Sequence, residues 1–131
     1  MRRVLGLLSV IVLIFLVIPC IGEETTLKVE QMEFCAAVKD RTPVGAAQTF
    51  PSDIYRIYCF TRVVGAADTT EVIHEWYYGE KRMAAVRLPV RSSNWRTWSS
   101  KRMIPQWTGK WRVDVLDEDS TVIASKEFVV E

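Results

Sequence analysis

The chain has 131 residues, an apolar fraction of 49% and 17 basic against 16 acidic groups. That length accommodates one domain, and the apolar share supports a packed core, which excludes a disordered chain. The near-neutral balance argues against a polyanionic partner such as nucleic acid.

Met1, Arg2 and Arg3 give a positive start, and Val4 to Ile18 is apolar apart from Gly6 and Ser9. Charge, then a greasy block, then Pro19 and small residues at a cut after Gly22 is the layout of a secretory signal. The same stretch is long enough to span a hydrocarbon core. Residues 1–22 therefore read either as a cleaved signal or as an anchor helix with its two arginines on the cytoplasmic side. Cys20 follows the rigid Pro19, which argues against lipoprotein processing. Either way residues 23–131, read as a single domain, lie outside the cytoplasm, in the periplasm or cell envelope. Any membrane contact then runs through the N-terminal segment. Loss of that segment leaves Cys35 and Cys59, an even pair in an oxidising compartment. A disulfide worth on the order of 3 kcal/mol is expected, with two buried free thiols as the alternative.

After a short polar linker, Leu27 to Val38 alternates as a strand, slipping near Gln31 as a bulge would. Lys39 to Ser52 contains two Pro and a Gly without a period and reads as a loop. Ile54 to Val64 is a β-branched and aromatic strand. Glu71 to Tyr78, Gly79-Glu80 and Lys81 to Val90 form a hairpin. A two-residue loop would set Trp76 opposite Met83 and His74 opposite Ala85. A three-residue loop sets Trp76 opposite Ala84 and His74 opposite Val86, and is preferred because it joins Val72, His74 and Trp76 to Val86, Leu88 and Val90 and turns Arg87 and Arg91 outward. Trp95 to Met103 is a further strand, and Lys110 to Leu116 alternates with Trp111, Val113 and Val115 inside. Asp117 to Ser120 has turn chemistry, and Val122 to Val130 closes the chain with Phe128 and Val130 on its apolar side. With no helical period, about seven strands predict an all-β, antiparallel immunoglobulin-like β-sandwich, a small barrel being the alternative.

Four motifs, CFTRVVGA at Cys59 to Ala66, HEWYYGEKRMAAVRLPV at His74 to Val90, WRTWSSKR at Trp95 to Arg102 and GKWRVDVLDED at Gly109 to Asp119, resemble the bacterial family called domain of unknown function 2914. The resemblance runs from about Cys35 to the end. It implies an extracytoplasmic or membrane-attached module, and it supplies no activity or catalytic residue to carry over.

Charge is unevenly placed. Residues 23–80 hold ten acids and five bases, residues 81–112 hold nine bases, four Trp and no acid, and residues 113–131 hold six acids and one base. His74 is the only histidine, which excludes a two-His site. A zinc ion on Cys35, Cys59 and His74 would need a fourth ligand. Asp117 and Asp119 form one loop, too little for calcium. A triad of His74 with Ser99 or Ser100 lacks a nucleophile elbow, and those hydroxyls read as satisfying backbone at a strand end. Glu75 and Glu80 show no spacing for paired-carboxylate chemistry. No cofactor or metal is called for, and the chain reads as a noncatalytic module.

The basic, Trp-bearing run is the candidate site: Arg87, Arg91, Trp95, Arg96, Trp98, Lys101 and Arg102. Trp95 and Trp98 are three apart, so on a strand they face opposite sides. An exposed Trp beside Arg suits a sugar ring with an anionic group, which points to a carbohydrate or anionic envelope component as ligand. The same face could instead dock an envelope protein. The competing structural reading is that Trp76, Trp98 and Trp111 fill the core while the cations lie along the outside.

Overall fold

The computed structural model describes residues 27–131 together with Val12 and Ile14. Apart from those two residues, the expected signal or anchor over residues 1–22 lies outside the described residues.

Ten strands follow in order: β1 (Lys28–Cys35), β2 (Ala37–Lys39), β3 (Thr42–Val44), β4 (Thr49–Phe50), β5 (Arg56–Val64), β6 (Thr70–Tyr78), β7 (Lys81–Val90), β8 (Asn94–Arg102), β9 (Gly109–Leu116) and β10 (Val122–Val130). Among the described residues there is no helix. The seven long strands are the expected ones. The three short ones, β2, β3 and β4, lie within or just before the stretch that reads as a loop.

The strands form a three-stranded sheet in the order β1-β5-β8, a five-stranded sheet in the order β4-β10-β9-β6-β7, and the small β2-β3 hairpin. Pairing is antiparallel except between β10 and β4, which run parallel. The two larger sheets pack face to face. Phe34, Ile57 and Cys59 from the first meet Trp76, Trp111, Val113, Phe128 and Val130 from the second, and all of them are buried. Phe128 is the hub of this cluster, with ring centroids 4.5 Å from Phe34, 6.1 Å from Trp76, 5.9 Å from Phe50 and 5.9 Å from Trp111. A second cluster of Leu27, Val63, Val72, Val90 and Val115 fills the other end. Lys126 Nζ crosses between sheets to the Met32 carbonyl at 2.9 Å, fixing β10 against β1.

The β6–β7 hairpin has the expected register, with Trp76 opposite Ala84, His74 opposite Val86 and Val72 opposite Leu88. Nearer the turn the register shifts so that Tyr78 pairs with Lys81 over Gly79-Glu80. Gly79 takes a φ of 57°, which glycine adopts without steric cost. The turn thus has two residues and not the expected three, and a bulge at Met83 restores the register that buries Trp76 and His74. The slip near Gln31 is also a bulge, lying between Val29 and Gln31. It turns Glu30 towards Arg62, 2.6 Å away.

The expected disulfide is not formed: Cys35 and Cys59 are free, buried thiols. The register explains why. Cys35 stands opposite Tyr58, and Cys59 stands opposite Phe34. The offset of one position directs the two side chains to opposite faces of the same strand pair. Cys59 enters the core, whereas Cys35 lies against the backbone of Val44 and Ala37. Burial raises the pKa of both thiols.

Candidate functional site

Pairing of β5 with β8 sets Arg62 opposite Arg96, Phe60 opposite Trp98, Tyr58 opposite Ser100 and Arg56 opposite Arg102. Alternation puts all eight side chains on the outer face of the three-stranded sheet, while Ile57, Cys59, Thr61 and Val63 turn inward. Trp98 lies half-buried on that outer face. Its ring runs nearly parallel to Phe60, with centroids 6.3 Å apart. Phe60 is buried although it faces away from the core. Trp98 is therefore not core filler, whereas Trp76 and Trp111 are.

Beside this row is a groove of about 300 Å³, lined by Arg41, Pro89, Trp95, Arg96, Thr97 and Trp98. Three elements build it: the turn of the β2–β3 hairpin, the edge of β7 and the edge of β8. Arg96 Nη1 donates to the Arg41 carbonyl at 3.3 Å, which holds the hairpin tip over the strand. Trp95, on the inward side of β8, packs against the cluster around Val63 and Val72.

The seven expected ligand residues do not form one face. Trp95, Arg96 and Trp98 share the groove. Lys101 and Arg102 sit at the far end of β8, where Lys101 Nζ lies 4.8 Å from the Trp107 ring centroid and the Arg102 guanidinium 5.2 Å from that of Tyr55. Burial lowers the pKa of Lys101, and Arg56 adds to the effect. Arg87 belongs to the outer surface of the other sheet, where it pairs with Glu71. Arg91 is exposed in the turn between β7 and β8.

His74 lies between the sheets and is fully buried. Its Nε2 is 3.2 Å from Thr61 Oγ1, and its Nδ1 is 2.7 Å from Ser99 Oγ. The Thr61 hydroxyl donates to the Thr97 carbonyl at 3.0 Å, and the Trp76 indole donates to Ser99 Oγ at 3.0 Å. Counting protons leaves one arrangement. Thr61 has spent its hydrogen and must accept from Nε2–H, and Ser99, already accepting from Trp76, donates to Nδ1. The imidazole is neutral, and burial holds its pKa down at about 4. Ser99 thus serves two side chains in the core, in place of the strand-end backbone role expected of it. Ser100, also expected to satisfy backbone, instead accepts from Arg56 Nη1 at 2.8 Å.

Sequence reasoning missed Arg41, Arg56, Tyr55 and Thr61, all of which lie outside the acid-free run. Among the described residues no group of three or more His, Cys, Asp or Glu could hold a metal ion. At Asp117 a buried carboxylate accepts from the backbone N–H of Asp119 and of Thr121, each at 2.9 Å. It is thus spent on its own turn.

Fold and surface together define an all-β, two-sheet module with a basic, aromatic groove at its edge. Residues 69–130 match the family described as protein of unknown function (DUF2914), which supports the resemblance read from the motifs. The matched span is shorter than the motifs suggest, because it begins at Thr69 and leaves out β1 to β5. No curated protein matches the sequence.

Proposed function

We propose that this chain is a noncatalytic, extracytoplasmic binding module whose groove at Arg41, Trp95, Arg96 and Trp98 takes a carbohydrate or anionic envelope component. The observation that carries the reading is the joining of an Arg96 guanidinium, a half-exposed Trp98 ring and a second cation, Arg41, around one concave surface. A flat indole supplies contact area for a sugar ring at little entropic cost, and the guanidinium fork recognises a carboxylate or phosphate. Export rests on the charged-then-apolar N-terminus.

The domain is, in this reading, of immunoglobulin-like type. Supporting this, the long strands fall as β1-β5-β8 against β10-β9-β6-β7. This order is consistent with a Greek-key connection in which the strand after the third lies in the second sheet.

The test is an array of envelope glycans and anionic lipids probed with the full chain and with Arg96→Ala, Trp98→Ala and, as a control, Arg87→Ala. The first two should lose binding at least tenfold and the control should keep it. Unchanged binding by Arg96→Ala and Trp98→Ala would sink the groove reading. A second reading, docking of an envelope protein, is favoured by the position of β7 and β8, which each end their sheets beside the groove and leave backbone groups for a partner strand. Crosslinking in intact envelopes separates the two, since only the second yields a defined protein adduct.

A further inference from the structure

At the end of β8 away from the groove, Arg56 stands directly opposite Arg102 across the strand pair. Like charges in such positions repel. Five cations elsewhere have a carboxylate partner: Arg62 has Glu30, Arg82 has Glu75, Arg87 has Glu71, Lys110 has Glu127 and Arg112 has Asp114. Among the described residues no carboxylate pairs with Arg56, Lys101 or Arg102. What holds the two guanidinium groups together is a shared aromatic, since their central carbons lie 6.0 Å and 5.2 Å from the Tyr55 ring centroid.

The supports around them are fixed. The Met103 N–H donates to the Tyr55 carbonyl at 2.9 Å, pinning the Tyr55 segment to the end of β8. Arg56 Nη1 donates to Ser100 Oγ, so that hydroxyl keeps its own hydrogen for another acceptor. Lys101 rests on Trp107, whose carbonyl accepts from the Trp111 indole at 3.0 Å, so the ammonium is anchored to the core through two tryptophans. Tyr55 itself is 64% exposed, leaving the cluster open to solvent. Two guanidinium forks and a hydroxyl with a proton to give make a preorganised, uncompensated positive site, while Lys101, opposite the inward Ile57, leaves from the other face of β8.

We infer that Arg56 and Arg102, with Ser100, form a binding site for a dianionic phosphate group, distinct from the groove. A single carboxylate would neutralise one charge of the opposed pair, whereas a phosphate monoester neutralises both and offers three oxygens to the two forks and the hydroxyl. Six residues of extended strand place the Arg56–Arg102 pair about 20 Å from Arg96. Ser100 is two residues from Trp98 on the same face, but the site uses none of the groove residues. Failure of one reading therefore leaves the other untouched.

Binding of inorganic phosphate, glycerol 3-phosphate and vesicles containing phosphatidic acid to the full chain is measured by titration at matched ionic strength, with sodium acetate as the monoanion control. Phosphate should bind at least tenfold more tightly than acetate, and Arg56→Gln and Arg102→Gln should each weaken it tenfold, with Arg96→Ala and Trp98→Ala within twofold of the parent. Glycerol 3-phosphate binding without vesicle binding marks a soluble phosphoester, and vesicle binding marks a lipid headgroup. Arg102→Glu supplies a readout that needs no ligand. It sets an opposite charge across from Arg56, so the phosphate-free unfolding midpoint should rise while the phosphate response disappears. A lower midpoint in Arg102→Glu, or equal phosphate affinity in the parent and the two Gln variants, overturns the assignment.

Discussion

His74 and Ser99 meet at 2.7 Å in the core, one from β6 of the five-stranded sheet and the other from β8 at the edge of the three-stranded sheet. The contact places a directional bond where most of the interface is apolar. It sets the relative position of the two sheets more sharply than packing alone would.

Ser99→Ala removes the donor to His74 Nδ1 and the acceptor for the Trp76 indole together. Each buried polar group left without a partner costs about 1–3 kcal/mol. Urea unfolding should therefore show a loss of roughly 2–5 kcal/mol. A loss below about 1 kcal/mol would mean that the neighbours rearrange to satisfy both groups.

The depressed pKa of His74, about 4 in the fold against an ordinary 6.5, makes stability depend on pH. Between these values the unfolded chain binds the proton and the native state does not, so the unfolded state gains as pH falls. Stability from this group is complete above pH 6.5, declines towards pH 4, and is then lost by roughly 3 kcal/mol in all. Urea midpoints from pH 8 to 4 should follow that course, and the His74 ring resonance should titrate near 4. A midpoint near 6.5 in the folded protein contradicts the neutral, buried ring.

Phe128→Ala should be the most damaging single truncation in the core, because four aromatic rings surround that position. Large-to-small changes at such sites cost about 3–5 kcal/mol. Thermal unfolding compared with Val122→Ala, at an exposed position, checks this. The second change should be nearly silent.

Glu30→Gln tests the opposite extreme. The Glu30–Arg62 pair is short, yet its side chains are 49% and 32% exposed, and solvent-screened pairs contribute less than about 1 kcal/mol. The variant should lose only a few tenths of a kcal/mol at low salt and nothing measurable at 1 M salt. Retention of the β1 bulge should show in unchanged amide shifts around Gln31.

Much of this architecture can be read from local pattern. Strict alternation places Trp111, Val113 and Val115 inside, three-residue spacing sends Trp95 and Trp98 to opposite faces, and the apolar partners of His74 select the hairpin register. What escapes has two physical causes. The β2–β3 hairpin turns on Asp40 and Arg41, both at positive φ (50° and 57°). That geometry is ordinarily signalled by Asn or Gly, so the stretch reads as a loop. The opposition of Arg56 to Arg102, and of Arg62 to Arg96, depends on how distant strands align. Neighbouring sequence does not encode that alignment, and the acid-free run starting at Lys81 draws attention away from Arg56, Tyr55 and Arg41. The disulfide fails for the same reason, since spacing shows two cysteines on paired strands but not the single-position offset between them.

That offset equips the domain with two separate clocks. Cys59 sits in the central core, and Cys35 lies beneath the β2–β3 hairpin on the other side of the same strands. A thiol-labelling reagent would reach Cys35 whenever the hairpin lifts, but Cys59 only when the sheets part. The ratio of the two labelling rates thus reports how far the small hairpin moves independently of the sandwich, with no probe introduced.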